Sequence, residues 1–104
     1  MNVNWKIVYA YIKTFRRPSI LVLESTNDCN ANCTMCSRVH LNRDIGTMDF
    51  KLFRKIIGEA KIHNIDFFQL SFYGESLIDP LLIQKIQYIK DQIPEAWTQI
   101  ITNG

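Results

Sequence analysis

The sequence predicts an α/β fold with a parallel sheet, and three observations carry that prediction. Segments of helical period alternate with short apolar runs in the order helix, strand, helix, strand, helix, strand, as right-handed βαβ units require. The first run is β-branched and large apolar residues without strict alternation, the mark of a buried strand. The segments richest in chemically capable side chains each follow the C-terminal end of a run, the edge where parallel α/β folds bind ligands. At 104 residues the chain is one domain at most.

In "MNVNWKIVYAYIKTFRRP" (1–18), Trp5, Val8, Ile12 and Phe15 recur at three or four positions, which makes an N-terminal amphipathic helix. Lys6 and Lys13 interrupt its apolar stretch and no small-residue cleavage site follows, so it is not a signal peptide. Such a helix is expected to pack on its own domain in preference to a membrane surface. Pro18 ends it, and Arg16 and Arg17 suit its negative C-terminal end. "SILVLEST" (19–26) is the first strand. From Asn27 to Met48 no period is sustained, and a loop that long in a compact domain is usually functional.

Asp49 caps the next helix, "FKLFRKIIGEAKIHN", with Phe50, Phe53, Ile56, Ile57 and Ala60 on one face and Asn64 as a left-handed stop. "IDFFQLSF" (65–72) is the second strand and "YGES" (73–76) its turn. Asp79-Pro80 reads as a cap and first helical position, leading a helix to about Gln92 with Leu82, Ile86, Ile89 and Ile93 inward. "AWTQIIT" (96–102) is the third strand. Three strands leave open edges and too few helices for two faces, so residues 19–104 are expected to be the front part of a larger barrel, cut off after its third strand.

Twelve Lys and Arg against ten Asp and Glu give a net charge of +2 with no long basic stripe, which argues against nucleic acid as partner. No apolar run approaches the roughly 20 residues that span a bilayer. With no export signal the expected compartment is the cytoplasm, where clustered thiols more often bind metal or do redox work than form disulfides.

All three cysteines lie in "CNANCTMC", as Cys29, Cys33 and Cys36. An odd number cannot pair completely, and spacings of four and three bring side chains to one side of a coiled segment. Three converging thiolates suit a soft centre, either an iron–sulfur cluster or zinc. An ordinary [4Fe–4S] cluster takes four cysteines; with three, one iron is left open. The zinc alternative adds His40 as fourth ligand in a Cys3His set.

"CNANCTMC" resembles the C-x3-C-x2-C signature of the radical S-adenosylmethionine (SAM) superfamily. "ESTNDCNANCTMC" is similar to that family's run into its cluster loop, "FYGESLIDP" to its Gly-Gly-Glu-Pro motif, and "ITNG" to its Thr-Asn-Gly end of the third strand. "IGTM" before a capped helix resembles the SPASM-type peptide- and protein-modifying branch. The resemblance covers residues 19–104 and implies the opening of a (βα) partial TIM-type barrel. It implies that Cys29, Cys33 and Cys36 ligate three irons of a [4Fe–4S] cluster while SAM chelates the fourth. Met35 would lie near the adenine, and Tyr73, Gly74 and Glu75 would form the turn that receives the methionyl ammonium. The implied activity is reductive cleavage of SAM to a 5′-deoxyadenosyl radical that abstracts a substrate hydrogen. The implied partners are a flavodoxin- or ferredoxin-like electron donor and, as candidate substrate, a peptide or protein.

Plainer readings stand beside these. Glu75 could be a solvated turn carboxylate, Arg38 a solvated surface arginine, His40 a loop histidine, and Asn103-Gly104 turn residues. The whole chain could be a zinc-binding interaction module or a non-catalytic fragment that folds against a partner.

Overall fold

A computed structural model describes residues 2–16 and 18–104, with the side chains of residues 14–16 left out. The expectations for Phe15, Arg16 and Arg17 side chains therefore lie outside the described residues. The elements follow the expected order: α1 (Trp5–Arg16), β1 (Ile20–Val22), α2 (Phe50–Ile62), β2 (Phe67–Gln69), α3 (Leu82–Gln92) and β3 (Trp97–Gln99). Short 3-10 turns form at Ser37–His40 and Ser76–Ile78. The sheet is parallel, in the order β1-β2-β3, with Ile20 opposite Phe67 and Phe67 opposite Trp97. The strands are shorter than the apolar runs that encode them, although the ladder runs on through Leu23 N–H to Gln69 O and Leu70 N–H to Gln99 O.

Helices α2 and α3 pack against each other and cover one face of the sheet. Phe53, Ile57 and Ala60 from α2, Leu82 and Ile89 from α3, and Phe68 from β2 close the core, with Phe50, Ile56 and Ile86 packed around it. The expected caps of α2 are present: Asp49 accepts from Leu52 N–H at 2.9 Å, and Asn64 stops the helix at φ 56°. The opposite face of the sheet stays open, leaving Ile20, Val22 and Trp97 exposed.

Two expectations need correction. Asp79-Pro80 does not begin α3, which starts at Leu82. Asp79 Oδ1 does accept from Leu81 N–H at 2.8 Å, but its other oxygen is drawn into the core by Lys85, so the chain makes one more turn before the helix settles. Over its described side chains helix α1 is exposed where burial was expected. Of residues 2–13 only Val8 is even half-buried, and Trp5 and Ile12 on the stripe expected to face inward are exposed.

Candidate functional site

The C-terminal ends of the three strands meet around a cavity of about 310 Å³. Cys29, Cys33 and Cys36 all line it, together with Tyr73, Gly74 and Glu75 and, from beyond β3, Thr102 and Asn103. Three segments far apart in sequence are brought to one mouth because parallel strands deliver their following loops to the same edge of the sheet.

The cysteine loop is tied at its base by the residues just before it. Asn27 donates from Nδ2 to Asp44 O at 2.8 Å and accepts from Gly46 N–H at 2.7 Å. Thr26 donates to Gly46 O at 3.0 Å, and Met48 N–H reaches Ser25 O at 2.9 Å. Thr26 and Thr47 form an isolated antiparallel bridge. The Thr-Asn pair thus closes a long loop with side-chain hydrogen bonds that reinforce a single backbone bridge. Inside the loop Asp28 Oδ1 accepts from Cys29 N–H at 2.8 Å, and Cys36 N–H bonds to Cys33 O at 3.1 Å. Arg38 is half-buried and donates to Ala31 O at 3.2 Å and Asn32 Oδ1 at 3.4 Å. It braces the cysteine loop from within the cavity wall, and the surface reading is corrected accordingly.

The 73–75 turn is locked to this loop. Gly74 has φ 88°, and a Cβ there would stand 2.4 Å from Thr26 O and 2.7 Å from Asp28 O. Only glycine fits both the left-handed backbone and the approach. Glu75 N–H bonds to Asp28 O at 2.7 Å, and Tyr73 OH meets Ser37 Oγ at 2.8 Å, one residue past Cys36.

Glu75 is not a solvated carboxylate, for it is 3% exposed. Its Oε2 accepts from Asn103 N–H at 2.7 Å and Thr102 Oγ1 at 3.0 Å, and its Oε1 from Leu77 N–H at 3.1 Å. The Asn103 N–H bond above all, helped by Leu77 and Thr102 and opposed by burial, holds its carboxyl below the usual carboxylate range. Asn103, expected to be a simple turn residue, also donates from Nδ2 to Asn30 Oδ1 at 2.9 Å and lies 3.9 Å from Cys29 Sγ. One carboxylate and one asparagine therefore join all three strand ends.

Sequence reasoning missed a buried trio beneath the site. Lys85 is 0% exposed; its Nζ donates to Asp79 Oδ2 at 2.7 Å, Ser25 Oγ at 3.2 Å and Ser25 O at 3.3 Å, and the Ser25 hydroxyl donates to Asp79. It fastens α3 to the base of the cysteine loop and to the segment after the 73–75 turn. The signal was present, since position 85 lies on the inward stripe of α3.

Met35 stands apart at 92% exposed, outside the residues lining the cavity, and His40 is likewise exposed and outside it. The three thiols are free. Among the described residues, no three His, Cys, Asp or Glu side chains are gathered as around a single ion. All three thiols line the one cavity, and thiolate is a ligand type that suits an iron–sulfur cluster as well as zinc.

No family model matches the chain. A tungsten-containing aldehyde ferredoxin oxidoreductase cofactor-modifying protein of Pyrococcus furiosus is 32% identical over 71 residues, which are 67% of this chain and 20% of that protein. The crystal structure of BtrN in complex with AdoMet and 2-DOIA superposes with a TM-score of 0.76 at 27% identity, covering 83% of this chain and 36% of BtrN. Selenomethionine BtrN in an open conformation gives 0.72 at 27% identity, over 83% and 39% of the two chains. The chain thus spans a fifth of the curated relative and less than two-fifths of the solved ones. These likenesses support a radical SAM-type role without singling out the SPASM branch.

Proposed function

We propose that this chain forms the cluster- and SAM-binding part of a radical SAM enzyme, on the opening strands of a (βα) partial barrel. The observation that carries the reading is the convergence of Cys29, Cys33, Cys36 and the Tyr73–Glu75 turn on one cavity at the sheet's C-terminal edge. Cys29, Cys33 and Cys36 would hold three irons of a [4Fe–4S] cluster. The turn at 73–75 would receive the methionyl ammonium of SAM, with backbone carbonyls as acceptors. When bound, the cluster and SAM supply an electron and a 5′-deoxyadenosyl radical for hydrogen abstraction.

The protein's own part is to place and hold these groups. Gly74 lets the turn lie against Thr26 and Asp28, which sets its distance from the first cysteine. Glu75 spends most of its hydrogen-bonding capacity on Leu77, Thr102 and Asn103, so it fixes the turn more than it offers a free acceptor. Asn103 directs an N–H toward Cys29 Sγ, and hydrogen bonds to cysteine sulfur are among the influences that set a cluster's potential. An adenine contact for Met35 would bury a side chain that is now exposed. A peptide or protein substrate, by the likeness of "IGTM" to the SPASM-type branch, and a flavodoxin- or ferredoxin-like electron donor complete the reading.

Anaerobic reconstitution with iron and sulfide tests it. The expected product holds about four irons per chain, and Cys33→Ala yields none. A product with zinc and no iron, whose metal is lost in His40→Ala, would replace this reading with the zinc-binding module.

A further inference from the structure

Helix α1 lies outside everything the candidate site explains. Its exposed side chains include Trp5, Ile7, Tyr9, Tyr11 and Ile12, so a strongly apolar and aromatic surface faces solvent. At about 100° per residue, Trp5, Tyr9 and Ile12 fall within about 60° of one another, whereas Lys6 and Lys13 share a separate line about 20° wide. From the start of the chain to Glu24 the sequence carries Lys6, Lys13, Arg16 and Arg17 and no Asp or Glu. A helix with a broad apolar arc, interfacial aromatics and cations on a distinct line matches the interface of an anionic bilayer in both polarity and charge. No helix among the described residues is long and apolar enough to cross a membrane, so α1 would lie on the surface.

We propose that α1 is an interfacial helix that seats this protein on anionic phospholipid membranes. Trp5, Tyr9 and Ile12 would enter the headgroup boundary while Lys6 and Lys13 face the lipid charge. Seating rests on polarity and charge alone and is independent of any cluster or SAM at the other site, so the two readings fail separately.

Flotation of the full chain with phosphatidylcholine vesicles, with and without phosphatidylglycerol, tests the proposal. The protein is expected to float with the phosphatidylglycerol vesicles and to be released by added salt. In a Trp97→Phe background, Trp5 emission is expected to shift to the blue on binding. Lys6→Gln/Lys13→Gln is expected to bind about 30-fold more weakly, at about 1 kcal/mol for each cation near the surface. Trp5→Ser/Ile12→Ser is expected not to float. Since both pairs of residues stand clear of the core, circular dichroism should show each variant folded. The proposal is overturned by no flotation at low salt, by equal binding to neutral vesicles, or by binding that both double variants retain. Self-association of the chain through α1 that masks Trp5 from vesicles would overturn it as well.

Discussion

Gly74 and Glu75 carry opposite kinds of constraint on the same turn. At Gly74 the limit is space: a methyl group would meet two carbonyl oxygens of the segment leading to Cys29, on a backbone already at positive φ. Gly74→Ala is expected to lower the urea-unfolding free energy by at least about 2 kcal/mol, since the left-handed backbone alone costs about 1–2 kcal/mol; a variant as stable as the parent would show that the approach is not needed. At Glu75 the limit is charge. Its carboxyl is held below the ordinary value of 4.5, so the ionised form contributes stability that is present above that pH and is lost as pH falls through the folded value. Glu75→Gln is expected to cost about 1–3 kcal/mol at neutral pH. Urea midpoints of parent and variant should converge as pH falls through the lowered folded value of this carboxyl, and a gap independent of pH would refute the charged role. The importance of Glu75 was legible from its place after an apolar run, whereas its partners were not. Thr102 and Asn103 belong to a different strand end, and only the sheet brings them near.

The elements themselves followed from periodicity. Helix α2 could be read residue by residue, because its cap, its apolar stripe and its left-handed stop are all local signals. Helix α3 began later than its Asp-Pro signal because Asp79 serves a long-range partner as well as the nearby Leu81 N–H. Lys85 on the inward stripe marked that partner, although the stripe alone cannot say that a carboxylate and a serine wait beneath it. Lys85→Met keeps the volume but leaves Asp79 unpaired in the core, and should cost about 3–5 kcal/mol. Joining it with Asp79→Leu should restore much of the loss. Chemical denaturation of the four proteins of this cycle measures the coupling, and additive losses would mean that the pair does not act as a unit. Helix α1 shows the other limit of pattern reading. Its apolar stripe states that a face favours burial, and the choice of what buries it depends on surroundings that periodicity does not contain.

At the scale of the molecule, a three-stranded parallel sheet with two helices on one face presents three loops at a single edge, and every cysteine lies in one of them. The cysteine spacing and the 73–75 turn were legible because each motif is contiguous. Their meeting in one cavity, and the part of Asn103 in joining them, required the fold. The proposed function requires a cluster held by three sulfurs whose remaining iron is left for SAM. Electron paramagnetic resonance of the anaerobically reconstituted and reduced protein, recorded with and without SAM, tests this most directly. A [4Fe–4S] signal whose g-values shift when SAM is added is the predicted result; a spectrum indifferent to SAM, or a protein that holds no iron–sulfur cluster, would contradict it.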